Sequence, residues 1–224
     1  WSTSGPPADA DAVLKPVADL LSALAEEAPL VVIVDDLHDA TAETIGALDQ
    51  VVRQGKALYA GVSNYRGARF EEAAELVRER GWAPLTIHQP RYSMMDRWIE
   101  ADLLGHTAAH GAGVIVFSPL EQGLLSGKYL DPANPIPPQS RAADPDGFLQ
   151  PAQVTPEKVD RARRLNEIAL KRGQSLAQTA VAWALRDPRV TSALIGARTP
   201  EQIEECVAAL ENLEFTGEEL AAID

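Results

Sequence analysis

The stretch ALYAGVSNYRGARFEEAAELVRERGWAPLTIHQ (57–89) holds one complete structural unit. ALYAGVS (57–63) is mostly apolar and runs into Ser-Asn, which reads as a strand entering a turn. RFEEAAELVRERG (69–81) reads as a helix closed by Gly81, because a glycine just past the last turn accepts the left-handed backbone that ends helices. LTIHQ (85–89) is a second strand. Strand, helix and strand in this order are the unit of a parallel sheet.

The alternation extends in both directions. Upstream, residues 1–11 show no period. Val13, Leu14, Val17, Leu20, Leu21 and Leu24 recur at helical spacing over 12–27, and Pro29 breaks that helix. LVVIV (30–34) is a continuous apolar run, suited to a strand buried on both faces. Thr41 to Gln54 is helical, with Ile45, Leu48, Val51 and Val52 on one side. Downstream come a polar helix over 98–110, a strand GVIVFS (113–118), helices over 155–172 and 175–186, a strand TSALIGA (191–197) and a helix over 200–210. A loop at 119–153 carries seven of the chain's 16 prolines, and loops of that length are functional or disordered. Some five strands alternating with helices predict a parallel α/β fold with the helices outside. An eight-stranded barrel needs about 250 residues, so the pattern leaves open an incomplete barrel or an open doubly wound sheet.

Bulk properties narrow the function. The 224 residues carry a net charge of −13, from 20 basic and 33 acidic side chains. Nucleic acid is therefore not an expected partner, because phosphate neutralisation needs clustered Lys and Arg. Cys206 is the only cysteine, which excludes an internal disulfide framework and suits a reducing cytoplasm. No apolar run approaches the roughly 18 residues of a membrane span, and no signal-peptide pattern is present. A chain that opens on Trp1 and closes on the helical pattern GEELAAID reads as a segment of a longer one.

Chemistry is suggested where strands end. Ser63 and Asn64 project a hydroxyl and an amide. Asn offers the donor and the acceptor that a carboxamide ligand needs, although on spacing alone the turn reading comes first. Gln89 offers a second amide. Arg91, Tyr92 and Arg97 in QPRYSMMDRW are readable as a packed loop with a surface ion pair. Phe117 offers an aromatic face to a flat heterocycle, with a core phenylalanine as the commoner reading. In EQGLLSGKY, Gly123 and Gly127 admit a ligand close to the backbone and Lys128 supplies a point charge suited to phosphate. Thr199, Pro200 and Gln202 have the spacing of a capped helix start, whose free N–H groups attract anions. Arg198 beside them suits a ribose phosphate; a surface arginine beside a well-capped helix is the alternative. Neither a GxGxxG turn after a strand nor a GxxxxGK[ST] loop occurs, so a dinucleotide fold of that kind or a P-loop is not supported.

Taken in order, GVSNY (61–65), HQPRYSMMDRW (88–98), VFSPLEQGLLSGKY (116–129), SRAADPDGFL (140–149) and ALIGARTPEQIEE (193–205) resemble the C-terminal part of the aldo-keto reductases. The nearest subgroup is the one similar to bacterial aldehyde reductases and potassium-channel beta subunits. The resemblance covers residues 41–224 and implies a partial (β/α)8 barrel, strands four to eight, preceded by an atypical segment at 1–40. It implies an NADPH-dependent oxidoreductase acting on a small carbonyl substrate. By position, Ser63, Asn64 and Gln89 would hold the nicotinamide amide, with Phe117 against its ring. Ser118, Leu120, Gln122, Gly123, Leu125, Gly127, Lys128 and Arg141 would surround the pyrophosphate. Gly196, Arg198, Gln202 and Glu205 would hold the adenosine end and its 2′-phosphate; Cys206 stands where the family usually has Asn.

Two departures accompany the resemblance. The family's catalytic Asp, Tyr and Lys have no counterpart, since Tyr59, Tyr65, Tyr92 and Tyr129 match none of those positions, and His38 aligns with the catalytic His only across a gap. A non-catalytic NADPH-binding or regulatory module is therefore the alternative. Residues 19–39 resemble instead the Walker B strand of regulatory ATPases in bacterial transcription activators, with Asp35 and Asp36 as its paired acids. An open half-barrel would also self-associate through its exposed edges.

Overall fold

The computed structural model describes residues 42–138 and 140–224. The helix read over 12–27, the strand at 30–34, the acidic pair Asp35-Asp36 and His38 lie outside the described residues. Within them the chain runs α1 (Ala42–Arg53), β1 (Ala60–Ser63), α2 (Gly67–Arg80), β2 (Leu85–Gln89), α3 (Ile99–Asp102), α4 (Leu104–Ala109), β3 (Gly113–Phe117), α5 (Pro156–Lys171), α6 (Leu176–Leu185), β4 (Val190–Leu194), α7 (Pro200–Val207) and α8 (Gly217–Ile223). The four strands form one sheet in the order β1-β2-β3-β4, and every pair is parallel. This is the α/β architecture that the alternation implies and that a partial barrel requires.

The two faces of the sheet differ. Val62, His88, Val114 and Val116 are buried and pack with Phe70, Ala73, Val77, Leu104 and Trp183 from the helices. The alternate residues, among them Ile87, Ile115 and Phe117, are only half-buried. In a closed barrel that second face is filled by side chains from all eight strands; the described residues supply four of them. At the edge, Leu194 of β4 is exposed, and so are Ile203, Val207 and Leu210 along and just past α7.

Helix boundaries follow local chemistry. Ser175 Oγ accepts from Gln178 N, and Gln178 Oε1 accepts from Ser175 N at 2.8 Å, a reciprocal capping box at the start of α6. α6 carries no charged residue (LAQTAVAWAL) and is buried almost all round, between α5, α7 and β4. Gly81 ends α2 at φ 61°, as its sequence predicts. Two helices depart from expectation. The helix read over 98–110 breaks at Leu103, so that Leu103 and Leu104 both reach the core; on a continuous helix neighbours point about 100° apart. Thr199 makes no side-chain cap on α7. Its hydroxyl is taken by the Glu201 carboxylate, and Gln202 Oε1 accepts from Arg198 N at 2.8 Å instead.

The loop at 119–153 is packed. Leu124, Tyr129, Ala142 and Leu149 form a small core of their own, and Ala142 N donates to the Tyr129 hydroxyl at 3.2 Å. The loop is therefore packed largely by its own side chains.

His88 gives the fold a pH dependence. It is fully buried in β2, with Nε2 donating to Tyr65 O at 3.1 Å and Nδ1 unpartnered. Burial lowers its pKa to about 4, against the backbone bond that works to raise it. The unfolded chain thus binds the extra proton first, and stability falls as pH drops from about 6.5 towards 4. Between about pH 6.5 and 5 the loss is expected to reach about 2 kcal/mol, at about 1.4 kcal/mol per pH unit. Urea unfolding at both pH values tests this, and a slope unchanged in His88→Phe would remove the assignment.

Candidate active site

The C-terminal ends of β1, β2 and β3 are laced together by the segment that follows β2. Ser63 stands in register with Gln89, and its hydroxyl donates to Gln89 O at 2.8 Å. Asn64 N donates to the same carbonyl at 3.2 Å, while Asn64 Oδ1 accepts from Arg91 N at 3.1 Å. Phe117 N donates to Pro90 O at 3.0 Å, and Tyr92 N to Phe117 O at 3.2 Å. Ser63, Asn64, Gln89 and Phe117 are thus neighbours on one rim, brought there from stretches far apart in sequence. The Ser63 hydroxyl is buried and committed to the strand, and the Asn64 acceptor is committed to Arg91. This differs from the free donor–acceptor pair read from sequence, because a strand end must satisfy its own backbone first.

Backbone strain gathers on the same rim. Among the described residues the non-glycine positions with left-handed φ are Asn64 (54°), Ser118 (56°), Glu121 (48°) and Gln122 (55°). All follow the C-terminal ends of β1 and β3. Such conformations are rare outside glycine and cluster where a site fixes the backbone. Gly123 at φ 103° and Gly127 at φ 80° continue the turn. A side chain at Gly127 or Gly196 would meet nothing within 4 Å, so both backbones are open to approach. Gln122 Oε1 is buried and has no hydrogen-bond partner among the described residues, an orphaned acceptor that a ligand's N–H or O–H would satisfy.

The remaining candidates fall into two groups. Ser118 and Leu120 are half-buried on the turn, whereas Leu125 is fully buried in the main core, so its side chain serves packing rather than a ligand. Lys128 and Arg141 are exposed and make no ion pair among the described residues, at either end of the stretch tied by the bond from Ala142 N to Tyr129. Arg198 is exposed beyond β4, with Gln202 and Glu205 half-buried behind it on α7.

The tyrosines are placed away from any proton-transfer role. Tyr65 and Tyr129 are buried, and Tyr59 is exposed but precedes β1, at the opposite end of the strand from the rim. Tyr92 is fully buried, in keeping with a packed loop. Its hydroxyl donates to Glu100 Oε1 at 2.6 Å and accepts from Arg186 Nη1 at 2.7 Å. Burial, then the bond to Glu100, holds that phenol far above its usual pKa.

Sequence reading missed Glu121. It is buried, 2.5 Å from Arg91 Nη2 through Oε1, and accepts from Ser93 Oγ at 2.8 Å through Oε2. The available signal was an acid inside an otherwise apolar, glycine-bearing run, set against an arginine just after the neighbouring strand. Among the described residues no cluster of His, Cys, Asp or Glu is arranged to hold a metal ion, and no helix is long and apolar enough to cross a membrane.

Comparison with known proteins gives a consistent picture. The pattern of the Aldo/keto reductase family matches residues 15–224. The chain is 48% identical over 187 residues to the L-glyceraldehyde 3-phosphate reductase of Escherichia coli (strain K12), covering 81% of this chain and 53% of that protein. It is 35% identical over 187 residues to a Schizosaccharomyces pombe protein whose given name is that of a voltage-gated potassium channel subunit beta, covering 81% and 54%. The chain spans about half the length of the curated relatives it matches.

Proposed function

Because this chain belongs to the aldo/keto reductase family, we propose that it is the cofactor-holding part of an NADPH-dependent oxidoreductase that reduces aldehydes or ketones to alcohols. The observation that carries this reading is the strained turn at the strand ends, which presents an orphaned buried acceptor at Gln122 beside the open backbone of Gly127. When bound, NADPH supplies the hydride for the carbonyl carbon. Asn64 and Gln89 orient its amide, with Ser63 bracing Gln89, and Phe117 flanks its ring. Ser118, Leu120, Gln122, Gly123 and Gly127 offer backbone and polar contacts to the pyrophosphate, and Lys128 and Arg141 supply positive charge to it in a chain of net charge −13. Gly196, Arg198, Gln202 and Glu205 hold the adenosine end, with Arg198 selecting the 2′-phosphate. The substrate class is a short aldehyde, and the relative's name makes a phosphorylated one the first to try. A reducing cytoplasm suits the buried free thiol of Cys206, and the apolar β4 edge is the surface through which self-association would run.

Titration with NADPH, read as tryptophan quenching with energy transfer to the nicotinamide, is expected to saturate. No transfer up to about 1 mM, where binding is worth only about 4 kcal/mol, would overturn the proposal. Lys128→Ala is expected to weaken binding about tenfold, and Arg198→Ala to reduce the preference for NADPH over NADH by about tenfold, each about 1.4 kcal/mol.

A second reading, a non-catalytic NADPH-binding module, is favoured by one observation: three of the four tyrosines are buried and the fourth sits at the wrong end of β1. Binding without turnover of an aldehyde panel supports it, and turnover by this chain excludes it.

A further inference from the structure

We propose that the Arg91–Glu121 ion pair is a positioning device, which holds the strained 118–123 turn in its cofactor-accepting shape before any ligand arrives; the cofactor in that statement rests on the functional reading above. Ser118, Glu121 and Gln122 all adopt left-handed backbone in this turn, at φ 56°, 48° and 55°. Backbone of that kind persists only where the surroundings over-determine it. The turn's own bonds, Ser118 O to Glu121 N at 2.9 Å and Leu120 O to Gly123 N at 2.8 Å, close it locally but do not attach it to the sheet. The polar link to the segment after β2 comes from the Glu121 side chain.

Both Glu121 oxygens are used. Oε1 lies 2.5 Å from Arg91 Nη2, and Oε2 accepts from Ser93 Oγ at 2.8 Å. Ser93 is itself fixed, because its Oγ also accepts from Met95 N and Asp96 N, each at 3.1 Å. Arg91 is held from its other sides as well. Its backbone N donates to Asn64 Oδ1, its residue bridges Phe117, and its Nε faces Asp96 Oδ2 at 3.4 Å. One arginine therefore ties the end of β1, the end of β3 and the turn into a single frame. Gln122 follows Glu121 directly, so the orphaned Oε1 of Gln122 is aimed by the same backbone. A charge-assisted bond at a buried carboxylate is strong and directional, and leaving the buried Glu121 carboxylate without its partner is costly. The pair thus has few alternative positions. Glu121 acts through Gln122 and Gly123.

Two variants separate this from local propensity and from general stability. Glu121→Gln keeps the shape and removes the charge. Glu121→Asn keeps a residue tolerant of left-handed backbone but cannot reach Arg91. Amide hydrogen exchange is followed at 118–125 in the ligand-free chain, with β2 and β3 as internal reference, and NADPH affinity is measured on the folded protein. Both variants are expected to exchange faster at 118–125 alone and to bind NADPH on the order of tenfold more weakly. Unchanged exchange at the turn, or acceleration spread equally over β2 and β3 with affinity retained, overturns the proposal. Should the unsubstituted chain bind no NADPH, the functional reading fails by itself. The exchange measurement then still decides whether the pair holds the turn: local acceleration supports it and its absence refutes it.

Discussion

Gly67→Ala is expected to cost about 3 kcal/mol or more, the upper end of what overpacking a filled interior costs. Gly67 is buried at the first turn of α2, where its N–H donates to Asp102 Oδ2 at 3.1 Å. A Cβ there would lie 2.0 Å from Asp102 O and 2.5 Å from His106 Cδ2. The first of these is a backbone atom at the end of α3, so relief requires moving α3 and α4 away from α2. That movement would also strain the contacts of Glu71 with His106 Nδ1 at 2.7 Å and His110 Nε2 at 3.0 Å, which fasten the same helices. Urea unfolding measures the loss by linear extrapolation. Gly105→Ala is the control: a Cβ there meets nothing within 4 Å, and in a helix the change is expected to stabilise by up to about 1 kcal/mol. A loss at Gly67 below about 1 kcal/mol would mean that the α2–α3 approach is looser than described.

Trp183→Ala is expected to be the most damaging single truncation, at about 4 kcal/mol. Trp183 is fully buried on α6 and stacks on Tyr92, with ring centroids 5.0 Å apart. The guanidinium of Arg186 lies 3.7 Å from the ring centroid and that of Arg97 lies 5.2 Å away. Both arginines bind Glu100, which also receives the Tyr92 hydroxyl. Burial works to raise the Glu100 pKa, but the bonds from Arg97, Tyr92 and Arg186 outweigh it and hold the carboxyl below its usual range. Removing the indole therefore opens a cavity beside a charged network whose geometry it shapes. Because the indole N–H has no partner, Trp183→Phe is expected to restore more than half of the loss. If it restores none, the loss is not one of packing. Tyr92 N also donates to Phe117 O, so damage at Trp183 is expected to spread to the candidate site.

The β-α-β unit at 57–89 was legible because each element carries its own period and punctuation. β2 occupies 85–89 as its pattern requires, and Gly81 closes α2 at a left-handed φ. The strand at 57–63 shortens to 60–63, with Leu58 and Tyr59 exposed ahead of it. Apolar character alone does not separate a paired residue from an unpaired one.

Local sequence by itself determined the alternation of elements, the parallel α/β class, the family and the turns that carry its motifs, since these depend on periodicity and on residues close together in the chain. Only the tertiary structure decided that Arg91 belongs with Glu121, 30 residues away, and that Ser63 spends its hydroxyl on Gln89, 26 residues away. It alone set the Tyr92 hydroxyl between Glu100 and Arg186. Pairings of that kind depend on which strand ends the sheet brings side by side, and on how much water each group loses there. Neither quantity is a property of any short stretch of sequence.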